Sequence, residues 1–404
     1  MEMRMRKGTF PVLMAAVVFG ACEGRTGQGE EPIEVREWRA VEELRLGSPE
    51  GSGGALTRLG NLLALPDGGL LVLQPAEQEV RVYGADGALV RRLGGAGQGA
   101  GQFTLPGRVG WWGSAMDTLW ISDLGRRGVT LFSLEGAFAG TLAMPFVEHD
   151  SVFTVNQPSA VLPDGTALAL AGYSPRVPDW QDFPLLCYDL AGGRVESEVV
   201  RLDRSASVSI LWQGEGVTTA VHPLPDAPIV AYAPDASRIV LVDRSVTGAG
   251  PLGRIGVVAL SASGDTLWAR SFDYEPQPIA EARLDSIYAD RIASLQQVTR
   301  LLGSLSDADA ESAFRASVEL PRHQPPVQSV MVGTDGWIWL KLASSAAAPE
   351  HWWVLDAEGR QRANLTHERA LDVRAVGAGV FWAAEVDGGG RPQLVRYRVG
   401  DTDG

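Results

Sequence analysis

Ala64-Leu65-Pro66-Asp67-Gly68-Gly69-Leu70 and Val161-Leu162-Pro163-Asp164-Gly165-Thr166-Ala167 follow one plan: an apolar strand end, a tight turn, then a second strand. Tyr232-Ala233-Pro234-Asp235-Ala236-Ser237-Arg238-Ile239 and Val332-Gly333-Thr334-Asp335-Gly336-Trp337-Ile338 repeat it further along. Asp-Gly supplies the positive φ that hairpin turns require at little steric cost. Such punctuation at intervals marks a repeat architecture rather than a single sheet.

A second hairpin follows each of these turns. It appears at Tyr83-Gly84-Ala85-Asp86-Gly87, Ser133-Leu134-Glu135-Gly136, Asp189-Leu190-Ala191-Gly192, Ser261-Ala262-Ser263-Gly264 and Asp356-Ala357-Glu358-Gly359. The gaps between the marker glycines are 49, 56, 72 and 95 residues; the first two suit a four-stranded propeller blade and the later two imply insertions. Between the hairpins, Val80-Arg81-Val82-Tyr83 and Val129-Thr130-Leu131-Phe132 show the period-2 alternation of strands. The last unit offers three strands, 371–376, 380–386 and 393–399, before the chain stops. A spare strand, Trp38 to Gly47, precedes the first unit and resembles the fourth strands. Two orphan edges are satisfied if that strand joins the last unit. The expected fold is therefore all-β: a six-bladed β-propeller over 36–400, closed by an N-terminal strand in the last blade.

Gly94-Gly95-Ala96-Gly97-Gln98-Gly99-Ala100-Gly101-Gln102-Phe103-Thr104-Leu105-Pro106 resembles the join between NHL repeats, and Leu119-Trp120-Ile121-Ser122-Asp123 continues it. Gly128 stands where those repeats usually carry Arg. The resemblance is specific over about residues 59–140 and weaker beyond. Over its whole length the chain is similar to bacterial six-bladed propeller lipoproteins.

The N-terminus reads as an address. Arg4, Arg6 and Lys7 precede the apolar run Phe10 to Phe19, which ends in Gly20-Ala21-Cys22. That is the layout of a signal peptide, and the run is shorter than the roughly 20 residues of a membrane span. Phe19-Gly20-Ala21-Cys22 resembles a lipobox, with Phe19 in place of the usual Leu. The resemblance implies cleavage after residue 21, lipid on Cys22 and a flexible tether over 22–35. Glu23 after the Cys resembles lipoproteins sent to the outer membrane, which places the expected protein in the cell envelope, lipid-anchored.

The chain carries 35 Lys+Arg against 49 Asp+Glu, a net charge of −14. Removing residues 1–21 takes away three cations and one acid, leaving the remainder near −16. Nucleic-acid binding draws on clustered Lys and Arg, so nucleic acid is excluded as a partner. With Cys22 lipidated, Cys187 has no disulfide partner, and in the apolar run 185–188 it reads as packing.

Ile279 to Ala316 switches to a helical period within an insertion over 275–325, between blades 4 and 5. Leu284, Ile287, Tyr288, Ile292, Leu295, Val298 and Leu302 form one apolar face, Gly303 reads as a stop, and Ser306-Asp307-Ala308-Asp309 as the cap of a second helix. Such an insertion is expected either to pack on the propeller or to cover one end of its channel.

No catalytic motif is present, and His149, His222, His323, His351 and His367 show no metal-ligand spacing. Zinc enzymes on NHL-like propellers draw histidines from separate blades, so the resemblance leaves a channel metal open although no cofactor is expected. Asn61, Arg108, Asn156, His222, Gln328 and Arg374 fall near the starts of innermost strands, where propeller ligands gather at the channel mouth. Trp180, in the loop 175–183, is a candidate exposed anchor. The expected role is a membrane-tethered scaffold binding an envelope protein, peptide or glycan; the alternative is a metal-dependent lyase or hydrolase acting at the channel mouth.

Overall fold

The computed structural model describes residues 34–48, 54–151, 153–173, 182–203, 207–212, 216–247, 252–302, 306–344, 348–377 and 379–401. The expected signal peptide, Cys22, Trp180 and Gly303 lie outside these residues.

The first described strand is β1 (Arg36–Leu46). The first sheet follows: β2 (Leu62–Ala64), β3 (Leu70–Gln74), β4 (Glu79–Tyr83) and β5 (Leu89–Gly94). The second is β6 (Pro106–Trp111), β7 (Thr118–Asp123), β8 (Gly128–Ser133) and β9 (Phe138–Ala143). Next come β10 (Val147–His149) and β11 (Phe153–Val155). The third sheet is β12 (Ala160–Val161), β13 (Thr166–Leu170), β15 (Asp182–Asp189) and β16 (Val195–Asp203), with β14 (Gly172–Tyr173) leaving it to pair with β11. After a hairpin, β17 (Ser207–Trp212) and β18 (Gly216–Val221), the fourth sheet is β19 (Ile229–Tyr232), β20 (Ile239–Thr247), β21 (Gly253–Leu260) and β22 (Thr266–Tyr274). Two helices, α1 (Glu281–Leu302) and α2 (Asp307–Ser317), precede β23 (Val327–Val332), β24 (Ile338–Leu342), β25 (Glu350–Leu355) and β26 (Gln361–His367). The described chain closes with β27 (Asp372–Gly377), β28 (Val380–Val386) and β29 (Pro392–Asp401).

The first four sheets are antiparallel meanders in chain order. β1 and β23 to β29 form one eight-stranded sheet, β23-β24-β25-β26-β1-β29-β28-β27. The N-terminal strand does pair with the C-terminal one: β1 runs antiparallel to β29 from Trp38–Asp401 to Leu46–Leu394. Its first residues also pair in parallel with β26, Arg36 with Ala363 to Trp38 with Leu365, an arrangement the strand pattern did not foretell.

Apolar cores lie between neighbouring sheets. Leu71, Val82, Phe103, Val109 and Ile121 fill the space between the first and second. Ala160, Leu168, Leu185, Ile239 and Leu260 fill that between the third and fourth. Leu46, Leu62, Leu70, Tyr83, Trp382 and Leu394 bring β1 and β28–β29 back against the first sheet, so the array closes on itself. Sheets packed face to face around a closed ring, each entered by its first strand, define a β-propeller.

The turns obey the Asp-Gly reading with two local changes. Gly68, Gly165 and Gly336 take positive φ, but in the fourth sheet Ala236 does so, at +60°. In the third sheet Gly193, not Gly192, occupies the left-handed position.

The helical insertion occurs where its periodicity predicts. Ser306 caps α2 by accepting from Asp309 N–H. Ile292 and Leu295 of α1 meet Ala310 and Phe314 of α2, and Val318 joins them. Backbone bonds Ile279 N–H to Arg322 O and Gln324 N–H to Gln277 O zip the insertion's two ends together. The helices lean toward the side hairpin, α2 lying against β17.

Candidate functional site

The innermost strands surround a cavity of about 460 Å³. Its wall takes residues from β2, β6, β12, β19, β23 and β27 and from the segments just before or after them. The parallel bridge between Trp112 and Val161 shows the second and third sheets feeding it in the same sense.

The two ends of these strands differ. At their starts the wall carries Asn61, Arg108, Gln157, Ser159 and Arg374. Toward their ends it carries Ala64, Gly110, Ala233, Pro234, Val332 and Val376. That far end is pinched: Trp111 N–H reaches Pro234 O at 3.4 Å, joining the second sheet to the fourth. Ala64, Gly333 and Gly377 also meet there; a Cβ added to Gly377 would lie 3.5 Å from Ala64 Cβ.

At the polar end, side chains reach from sheet to sheet. Asn61 Oδ1 accepts Val109 N–H at 3.1 Å, and Arg374 Nη2 donates to Gly60 O at 3.0 Å. Arg108 N–H is held by Ser122 Oγ at 2.9 Å, and Ser122 donates in turn to Gln157 Oε1 at 3.2 Å. Gln157 folds over Gly107, where an added Cβ would meet its Oε1 at 2.5 Å and push the flexible amide aside.

The two cations are in different states. Arg374 also pairs with Asp372 at 3.3 Å. Among the described residues the Arg108 guanidinium has one hydrogen-bond partner, the neutral Ser159 Oγ at 3.1 Å. Tyr232, from the end of β19, brings its hydroxyl beside Ser159 and within the field of Arg108. Tyr232 Oη is buried, with Ser159 and the Leu170 backbone as its polar neighbours. Burial raises the Tyr232 phenol above its ordinary range, partly opposed by Ser159 and Arg108, so it stays a protonated donor at neutral pH.

Of the six strand-start residues singled out in the sequence, Asn61, Arg108 and Arg374 line this cavity. Asn156 does not: it is exposed, and its neighbour Gln157 takes the place in the wall. Gln328 falls in the irregularity between Val327 and Ser329 of β23 and is exposed outside the wall. His222 lies at the insertion, its Nε2 3.1 Å from Glu319 O. Trp180 lies outside the described residues. Gln157, Ser159 and Tyr232 were missed; Tyr232 stands in a quoted hairpin, read there only as a strand end. No described residue of α1 or α2 belongs to the cavity wall, and α2 lies against β17.

No His, Asp or Glu is among the described residues of the wall. Divalent metals in proteins draw mainly on imidazole and carboxylate donors, so this wall does not favour one. A triad of possible ligands does occur elsewhere: His149 of β10, Asp150 in the following turn and Glu198 of β16. It lies at the outer strand of the third sheet, and Arg201 pairs with both carboxylates, reaching Asp150 at 3.2 Å. The Arg201 hydrogen bond holds the Glu198 carboxyl below its usual range, with burial opposing and His149 assisting. A cation is already in place there.

No family model matches the sequence, and no curated protein resembles it at a significant level. Among solved structures the fold is similar to a member of the DUF4221 family from Bacteroides vulgatus, at 9% identity over 91% of this chain and 100% of that one, TM-score 0.48. It is also similar to a protein described as exported from Bacteroides fragilis, at 12% identity over 90% of this chain and 96% of that one, TM-score 0.45. A calcium-binding protein, regucalcin, from Agrobacterium tumefaciens is similar at 11% identity over 90% and 97%, TM-score 0.37. No ligand or activity is carried over from likenesses at this level.

Proposed function

We propose that this chain is a six-bladed propeller lipoprotein of the cell envelope, probed by its ligand at the polar mouth of the central channel. The eight-stranded sheet is read as two blades, β23–β26 and β27–β29 with β1, joined at their outer edges by the short β26–β1 pairing. Support for six comes from the cores, which fill six gaps between successive units. Lipid on Cys22 and the outer-membrane address rest on the signal-like N-terminus alone. No described helix is long and apolar enough to cross a membrane.

The observation that carries the binding role is the channel wall: hydrogen-bond donors and guanidinium groups gather at one end, with no imidazole or carboxylate among its described residues. Such a wall can hold a ligand's polar groups but offers no general base or metal set. Protein, peptide and glycan partners all carry groups that could enter it. Two measurements test the reading. Cys22→Ser should abolish incorporation of labelled fatty acid and release the protein from membranes; unchanged labelling removes the anchor. Hydrogen exchange with envelope extracts should show ligand protection at 59–62, 107–109 and 157–160; protection confined to outer strands would place binding elsewhere.

A further inference from the structure

The charge of the channel contradicts that of the chain. The protein carries 35 Lys+Arg against 49 Asp+Glu, yet the described cavity wall holds two arginines and no acid. Random placement in so acidic a chain would favour carboxylates. Arg108 is the sharper case, because its hydrogen-bond partner is neutral and no described carboxylate pairs with it. Arg108 is exposed at the mouth, so its field reaches the cavity entrance and is screened by salt.

We infer that the channel mouth is a site for a small anionic ligand, a carboxylate or phosphate held by Arg108 and Arg374. This deepens the binding role proposed above and rests on it. Arg108 offers a planar set of donors suited to two oxygens of one anionic group. Asn61 and Gln157 are neutral polar groups of the same wall, able to orient the rest of a ligand. Arg374 is partly neutralised by the exposed Asp372 and contributes less. The cavity volume of about 460 Å³ fits a small metabolite or a single sugar acid, not a folded partner. The acidic exterior excludes polyanions, so selection falls on compact anions that can enter the mouth.

The test is calorimetric titration of the purified protein with glucuronate, glucose and inorganic phosphate, at low and at moderate salt, alongside hydrogen exchange. Glucuronate or phosphate should bind and protect 107–109, weaken as salt rises, and lose at least tenfold in affinity in Arg108→Gln. Tighter binding of glucuronate marks the carboxylate as the preferred group, and tighter binding of phosphate marks the phosphoryl group. Glucose binding as tightly as glucuronate, unchanged in Arg108→Gln, overturns the anion while the channel remains a binding site. Anions that bind without protecting 107–109, or fail to bind to folded protein, also overturn it; extract-derived protection at the mouth then leaves the broader role standing.

Discussion

Asp123 and Arg108 belong to the same sheet, yet their charges are handled in opposite ways. Asp123, at the end of β7, is 1% exposed and accepts four backbone N–H groups, from Thr104, Leu105, Gly125 and Arg126. Its acceptor capacity is used up in holding the join between the first and second sheets. Arg108, on β6, is exposed at the channel mouth and spends one donor on Ser159. A saturated charge fixes architecture, since removing it strands its partners; an unsaturated one beside a cavity leaves donors for something else. The NHL-like join is the first kind, and the channel mouth the second.

The largest effect should follow from breaking the saturated side. Asp123→Ala strands four N–H groups and should lower unfolding stability by about 3 kcal/mol, measured by urea titration. A loss below about 1 kcal/mol would mean that water replaces the carboxylate and the contrast is false. Next comes Gly94→Ala, in the same join. Gly94 has φ +87° and Phe103 packs where its Cβ would be, 2.2 Å from the ring. Backbone strain and overpacking together should cost about 2 kcal/mol, and trimming Phe103 to Leu in the same chain should recover part of it.

A third, smaller effect concerns acid. Burial raises the Asp356 carboxyl, but Arg360 N–H and the Arg362 and Arg360 guanidinium groups outweigh it and leave it below the ordinary range. A carboxyl depressed in the folded state stabilises fully above the unfolded value of about 3.9 and loses that contribution as pH falls through the lower folded value. Unfolding midpoints should therefore hold steady down to about pH 5 and decline below it, and Asp356→Asn should flatten the decline. The smallest effect belongs to the unsaturated side: Arg108→Gln should shift stability by less than about 0.5 kcal/mol, as exposed substitutions do. A large loss would turn Arg108 into another staple between sheets and remove its claim on a ligand.

Much of the architecture could be read before any coordinates. Pro-Asp-Gly punctuation located the hairpins, and the surplus strand at 38–47 found its partner in β29 because neither could leave its backbone amides bare. Helical spacing over 284–302 located the insertion, whose apolar positions Ile287, Ile292 and Leu295 are buried. The site was read less well. Position near a strand start picked out Asn61, Arg108 and Arg374 but also Asn156 and Gln328. Asn156 and Gln157 lie in the bend between β11 and β12, where no strand period says which side chain faces the channel, and an irregularity in β23 diverts Gln328.

The sequence on its own determined the kind of strand, where each turns, and that the two ends must share a sheet, because these follow from local periodicity and unpaired edges. Only the tertiary structure decided which polar groups meet: Asn61, Arg108, Ser159, Tyr232 and Arg374 come from five stretches spread over more than 300 residues. Their convergence depends on how sheets pack around an axis, and no local pattern in the chain records that distance.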